Sequence, residues 1–197
     1  MAIAAKRVRA PQMQPEQRKQ LLLEAGVACA AAKGIGATKH ADLARACKVS
    51  VPTIFTYFPN RESLVTSILN EVGEQMLENV IAPALAVSDS KKRLPATVPL
   101  YSDYAIRQPN YVKVWLMWSM HFAPEIQAQF QKFEAQFVNG IAEMIKEGSS
   151  HNDPGQDIHD RARVITAASG IVAKMVFDGG PQARTTEFSE HIMSWIL

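Results

Sequence analysis

Two cysteines in 197 residues, Cys29 and Cys47, leave no C-x-x-C pair. That excludes a disulfide-stapled secreted fold and a zinc ribbon, and suits a reducing compartment. Long apolar runs are missing too. The charge-free stretch Val164 to Ala173 in the C-terminal half is about half of what a bilayer span demands. The opening residues MAIAAKRVRAP reach a basic cluster without an apolar core, so no secretory signal is expected and a cytoplasmic location is. No internal repeat or low-complexity tract appears, which argues against solenoids and fibres. Catalytic patterns are sparse as well. Gly34-x-Gly36 is followed by no G-K-[ST] and preceded by no strand, so it is not a phosphate loop. The five histidines show no H-E-x-x-H spacing, and no nucleophile–base pair emerges. Neither an enzyme, a metal site nor a cofactor is expected.

What is present is a core. Hydrophobic residues make up 47% of the chain and charged residues 20%, the balance of a globular protein. The net charge of +2 hides an asymmetry: residues 1–60 carry nine Lys/Arg against three Asp/Glu, and residues 61–197 carry twelve against sixteen. A basic module for a polyanion, joined to an acidic remainder, fits that split. Periodicity reads as helical throughout, with no alternation long enough for a strand. The spacing predicts about nine helices. The first four are Pro15–Lys33, a short one from Lys39 to Ala46 with Thr38 as N-cap, a second short one capped by Ser50, and one from Arg61 towards Ile81. Five more follow at Lys91–Arg107, Pro109–His121, Pro124–Glu147, Asp157–Phe177 and Arg184–Leu197. The fold class is all-α, with residues 1–60 as one domain and 61–197 as another.

The most informative stretch is GIGATKHADLARACKVSVPTIFTYFPNRESLV, residues 34–65. It reads as two short helices around a tight turn, with Ser50, Thr53 and Thr56 at three-residue spacing, Lys48 before them and Tyr57 after. Ala44, Val49, Ile54 and Phe58 supply the apolar contacts between the pair. This is a helix-turn-helix pattern, in which short side chains let the second helix approach the major groove and hydroxyls reach phosphates and base edges. With Thr38, Asp42-Leu43-Ala44, Val49-Ser50, Tyr57-Phe58 and Arg61-Glu62-x-Leu64, the stretch resembles the DNA-binding domain of the TetR family of transcriptional regulators. Ala5-Lys6-Arg7-x-Arg9, Gly34-Ile35-Gly36, His40-Ala41-Asp42, Tyr57-Phe58-Pro59 and Val112-Lys113-Val114-Trp115 with Trp118-Ser119 are similar to the LuxR/HapR/SmcR group of quorum-sensing master regulators.

The resemblance implies a TetR-like fold and specific roles. Ser50, Thr53, Thr56 and Tyr57 would lie on the recognition helix, with Lys48 beside it. Thr38, Lys39 and His40 would meet the DNA backbone, Arg61 a phosphate, and the Lys6, Arg7 and Arg9 arm the adjacent minor groove. The last two helices would form a homodimer's four-helix bundle, using Ala167, Gly170, Phe188, Ile192 and Trp195, so that two heads read a two-fold operator in double-stranded DNA. Met76, Tyr111, Trp115, Met117, Trp118, Phe133, Glu134 and Met175 would line a cavity for a small apolar ligand that modulates DNA affinity. The sequence departs from the pattern at Lys48, where the family commonly has a turn glycine, and at Pro52, so an operator sequence does not transfer. A local ligand-responsive repressor of an adjacent operon, and a helical adaptor without specific DNA binding, are the alternatives.

Overall fold

In the computed structural model, residues 14–148 and 157–196 are described, and all the regular structure among them is helical. Helix α1 (Pro15–Lys33) begins with proline in its first turn, where the missing N–H is no loss, and ends at Gly34, whose φ of 90° suits a residue without a Cβ. A single 3₁₀ turn (Ile35–Ala37) leads to α2 (His40–Cys47), and α3 (Val51–Tyr57) follows a short turn. The cap of α2 differs from expectation: Lys39 holds the N-cap position, its backbone N–H donating to Asp42 Oδ2 at 3.1 Å. Thr38 instead closes the 3₁₀ turn, its hydroxyl donating to the Gly34 carbonyl.

Helix α4 (Arg61–Met76) starts at Asn60, which accepts from Ser63 N–H at 2.7 Å while Ser63 Oγ accepts from Asn60 N–H. It runs through a π turn (Leu77–Ile81) into α5 (Ala82–Leu85). Then come α6 (Ser90–Arg107), α7 (Pro109–Ser119), α8 (Pro124–Gly148), α9 (Ile158–Phe177) and α10 (Gln182–Ile196). Counting α4, the π turn and α5 as one continuous rod gives, among the described residues, the nine helices that periodicity predicts. Pro95 and Pro99 stand inside α6, where each removes a backbone donor.

One apolar core runs the length of the molecule. Leu43, Ile54, Phe58 and Leu64 are fully buried and clamp α2, α3 and the first turns of α4 together. Gly26 lets α1 lie close on α4, since a Cβ there would sit 2.9 Å from Ile68. The start of α4 thus belongs as much to the N-terminal module as to the bundle, although sequence pattern alone suggests a boundary near residue 60. Further along, Gly73 receives the face of the Phe133 ring, 2.4 Å from where a Cβ would stand, and this locks α4 to α8.

Candidate nucleic-acid interface and cavity

Two short helices meet the requirements of a helix-turn-helix. Lys48 turns the chain between them in the left-handed region, φ 55° and ψ 40°, and is the one non-glycine residue with positive φ among those described. Ser50 caps α3: its Oγ accepts from Thr53 N–H at 3.3 Å and lies 2.8 Å from Thr53 Oγ1. Thr56 donates to the Pro52 carbonyl at 3.2 Å, which leaves its oxygen lone pairs facing outward. Ser50 and Thr56 are exposed, Thr53 and Tyr57 half-buried. Lys39, Lys48 and Arg61 are exposed around them, so cations frame a small hydroxyl-bearing face. The Arg61 guanidinium donates to the Gly36 carbonyl, tying the start of α4 to the 3₁₀ turn.

Two of the expected DNA-backbone contacts turn inward. Thr38 is fully buried and its hydroxyl is already spent on the Gly34 carbonyl. His40 is 8% exposed, and its Nε2 lies 2.8 Å from the Phe58 carbonyl oxygen, so that nitrogen carries the hydrogen. Both are corrections, and the causes differ: Thr38 closes the 3₁₀ turn on Gly34, whereas His40 bridges the start of α2 to the end of α3. The Phe55 ring stacks on the His40 imidazole at 4.2 Å, nearly parallel, and remains 45% exposed on the outer side of α3. The signal available in the sequence was an aromatic residue set between two hydroxyl positions, Thr53 and Thr56. The Lys6, Arg7 and Arg9 arm lies outside the described residues.

Asp42 stabilises the same module from the side. Lys33 Nζ approaches its Oδ1 at 2.5 Å, and this ammonium holds the carboxyl below its ordinary acidity range. Burial pushes the thiols of Cys29 and Cys47 up, which makes neither a ready thiolate.

The region expected to be hollow is filled with rings. Trp115 lies 5.0 Å from Phe130 and 5.7 Å from Phe137, and Trp118 lies 5.3 Å from Phe130 and 5.8 Å from Phe133, between centroids. Trp118 Nε1 donates to the Ile126 carbonyl, and Met76 is fully buried. Tyr111 donates to the buried Glu71 carboxylate at 3.2 Å, which also accepts from Gln20 at 2.8 Å, joining α1, α4 and α7. Met117, Glu134 and Met175 are half-buried. These rings pack face and edge against one another across α7 and α8, and Phe133 also borders an open groove with Thr66, Asn70, Gln129 and Lys132.

A cavity of about 50 Å³ opens instead between α6, α8, α9, α10 and the π turn, with Tyr101, Phe137, Ile141, Ser169, Val172 and Phe188 among its walls. The Tyr101 hydroxyl is buried without a hydrogen-bond partner. Burial pushes its pKa up to about 12, and the neighbouring Ser169 hydroxyl acts in the opposite direction. Of the residues expected at a dimer interface, Phe188 and Ile192 face this cavity, and Gly170 faces Leu116 of α7. Ala167 and Trp195 point outward, in company with the exposed Val164 and Ile171. Among the described residues no helix is long and apolar enough to cross a membrane, and no group of His, Cys, Asp and Glu is placed to hold a metal.

Known proteins share these features. Residues 22–68 match the family of bacterial regulatory proteins, tetR family. The HTH-type transcriptional regulator LuxR of Vibrio harveyi is 35% identical over 130 residues, 64% of this chain and 61% of that protein. The chain therefore spans about three-fifths of that relative. A TetR-like transcriptional regulator from Rhodococcus sp. RHA1 superposes with a TM-score of 0.76 at 16% identity, over 92% of this chain and 96% of that one. The regulator FadR from Bacillus subtilis, solved with stearoyl-CoA, gives 0.73 at 17% over 90% and 96%. The chain carries the tetR-family domain of bacterial regulatory proteins at residues 22–68, within a helical fold that TetR-like regulators share along most of its length.

Proposed function

We propose that this protein is a sequence-specific, DNA-binding transcriptional regulator that acts as a homodimer. The observation that carries the reading is the exposed face of α3, with Ser50, Thr56 and the rim of Tyr57 presented beyond a rigid helix-turn-helix core and framed by Lys39, Lys48 and Arg61. Short hydroxyl side chains let the helix seat in the major groove, and the cations meet phosphates in a salt-dependent way. Phe55, held flat on His40, offers an apolar surface suited to a thymine methyl. The Lys6, Arg7 and Arg9 arm reaches the neighbouring minor groove.

One short recognition helix buries little surface, so two heads are needed for useful affinity. Val164, Ala167 and Ile171 recur along the outer side of α9 at spacings of three and four, and Trp195 is 77% exposed on α10. That unpartnered stripe supports dimerisation through these helices. The cavity behind them supports modulation by a small apolar ligand: a ligand that prefers one separation of the heads shifts the equilibrium by its differential affinity. The rod formed by α4 and the π turn is the lever, because Leu64 and Ile68 pack in the DNA-binding module while Val80 lines the cavity. The domain division at residue 60 then separates roles more than rigid bodies. Such a regulator works in the bacterial cytoplasm, at the nucleoid.

Selection of genomic fragments by the purified protein over a salt series tests the reading. The expected result is a two-fold motif of roughly 20 base pairs, as two half-sites about one helical turn apart require, with Arg9→Ala and Tyr57→Ala weakening binding. Absence of any enriched motif at low salt, with and without cell extract, overturns it.

A further inference from the structure

Resting on the ligand-responsive reading above, we propose that the cavity takes an uncharged molecule with an apolar body and one carbonyl-type acceptor. The Tyr101 hydroxyl donates to that acceptor, and the way in lies between α6 and α10, past Val98 and Met193.

The first argument is charge. Every residue lining the cavity is neutral, and the polar ones are hydroxyls: Thr97, Tyr101, Thr166, Ser169 and Ser189. A carboxylate, phosphate or ammonium group would lose its water there and meet no opposite charge. The second argument is the direction of those hydroxyls. Thr97 donates to Leu94 O at 2.7 Å, Thr166 to Ala162 O at 2.8 Å, Ser169 to Thr166 O at 2.6 Å and Ser189 to Thr185 O at 2.8 Å. Each spends its proton on its own helix. Tyr101, 4% exposed, is the cavity-lining hydroxyl left without a partner of good hydrogen-bond geometry, with the Ser169 hydroxyl its polar neighbour. A carbonyl oxygen on the ligand supplies the missing acceptor.

The third argument is the route. A groove of about 320 Å³ runs along the outer seam of α6 and α10, lined by Pro95, Val98, Pro99, Glu190 and Met193 among others. Val98 and Met193 line both this groove and the cavity, so these two side chains are the partition between them. Met193 is unbranched and pliable. On the facing helix, Pro95 and Pro99 delete the bonds to the carbonyls one turn before each, so α6 yields more readily there than an unbroken helix would. The cavity as it stands has room for a few water-sized groups, and occupation by a larger molecule displaces the partition. Two of the cavity walls, α9 and α10, carry the proposed dimer face, which links occupancy to the separation of the DNA-binding heads.

The test uses full-length protein free of DNA and four six-carbon probes: 2-hexanone, n-hexane, hexanoate and hexylammonium. Ligand-observed NMR gives affinities, and circular dichroism checks each variant's fold. The wild type is expected to bind 2-hexanone saturably and at least about tenfold more tightly than either ion. Tyr101→Phe removes only the unpartnered hydroxyl; it should weaken the ketone about five- to tenfold, as loss of one net hydrogen bond implies, and leave hexane unchanged. Met193→Trp, at the partition, should slow or abolish ketone binding without altering the circular dichroism spectrum. Equal ketone affinity in wild type and Tyr101→Phe, preference for an ion, or no binding by any probe overturns the proposal. The operator selection is a separate measurement, so failure of either leaves the other standing.

Discussion

Lys48 occupies a left-handed backbone position that costs a residue with a Cβ about 1 kcal/mol. Lys48→Gly should therefore raise unfolding stability by up to about 1 kcal/mol in urea titrations. If Lys48 also meets a phosphate, the same variant should lower the salt slope of operator binding by about one. The two effects have opposite signs and separate strain from function. His40 serves the interior instead. His40→Ala deletes the bond to the Phe58 carbonyl and the platform under Phe55, and is expected to cost about 1–3 kcal/mol. Asp42 sets an acid limit. Lys33 lowers its folded pKa, so its contribution is present above the unfolded carboxylate value of about 3.9 and is lost as pH falls through the lower folded value. Urea midpoints should show Asp42→Asn less stable than wild type at pH 7, with the gap narrowing towards pH 3.

Where helices touch, small residues decide. Gly73 receives the Phe133 ring, so Gly73→Ala must push an aromatic ring out of a packed seam. Overpacking of this kind should cost about 1–3 kcal/mol in thermal or urea unfolding. The paired variant Gly73→Ala with Phe133→Leu should recover part of that loss, because the smaller side chain gives way. Helix α6 has an alkaline limit as well: Tyr101 ionises near 12 when folded against about 10 when unfolded, so its contribution disappears as pH rises through that window.

For the molecule as a whole, the decisive surface is the outer face of α9. Val164 and Ile171 are 53% and 52% exposed, an unusual position for β-branched apolar residues on a monomer. Val164→Glu together with Ile171→Glu is expected to yield a folded monomer by sedimentation, with operator affinity reduced by at least about a hundredfold because one head is left to bind alone. A dimer that persists through both substitutions would place the subunit contact elsewhere.

Local chemistry determined much of this protein. Helix periodicity, proline at first turns and capping residues such as Ser50 and Asn60 set where helices begin, because these effects act within four or five residues. The helix-turn-helix was legible for the same reason, down to the strained turn at Lys48. Side-chain direction across elements was not. Thr38 and His40 look like surface contacts in a linear motif, yet both side chains are buried, Thr38 bonded to Gly34 in the 3₁₀ turn and His40 to Phe58 at the end of α3. The aromatic set at Trp115, Trp118 and Phe133 reads equally as pocket or core, and only ring-on-ring packing made it core. The open space fell instead at Tyr101, Ser169 and Phe188, which belong to three helices distant in sequence. A cavity is what remains after helices pack, so its place depends on volumes summed across the fold and on no single stretch of sequence.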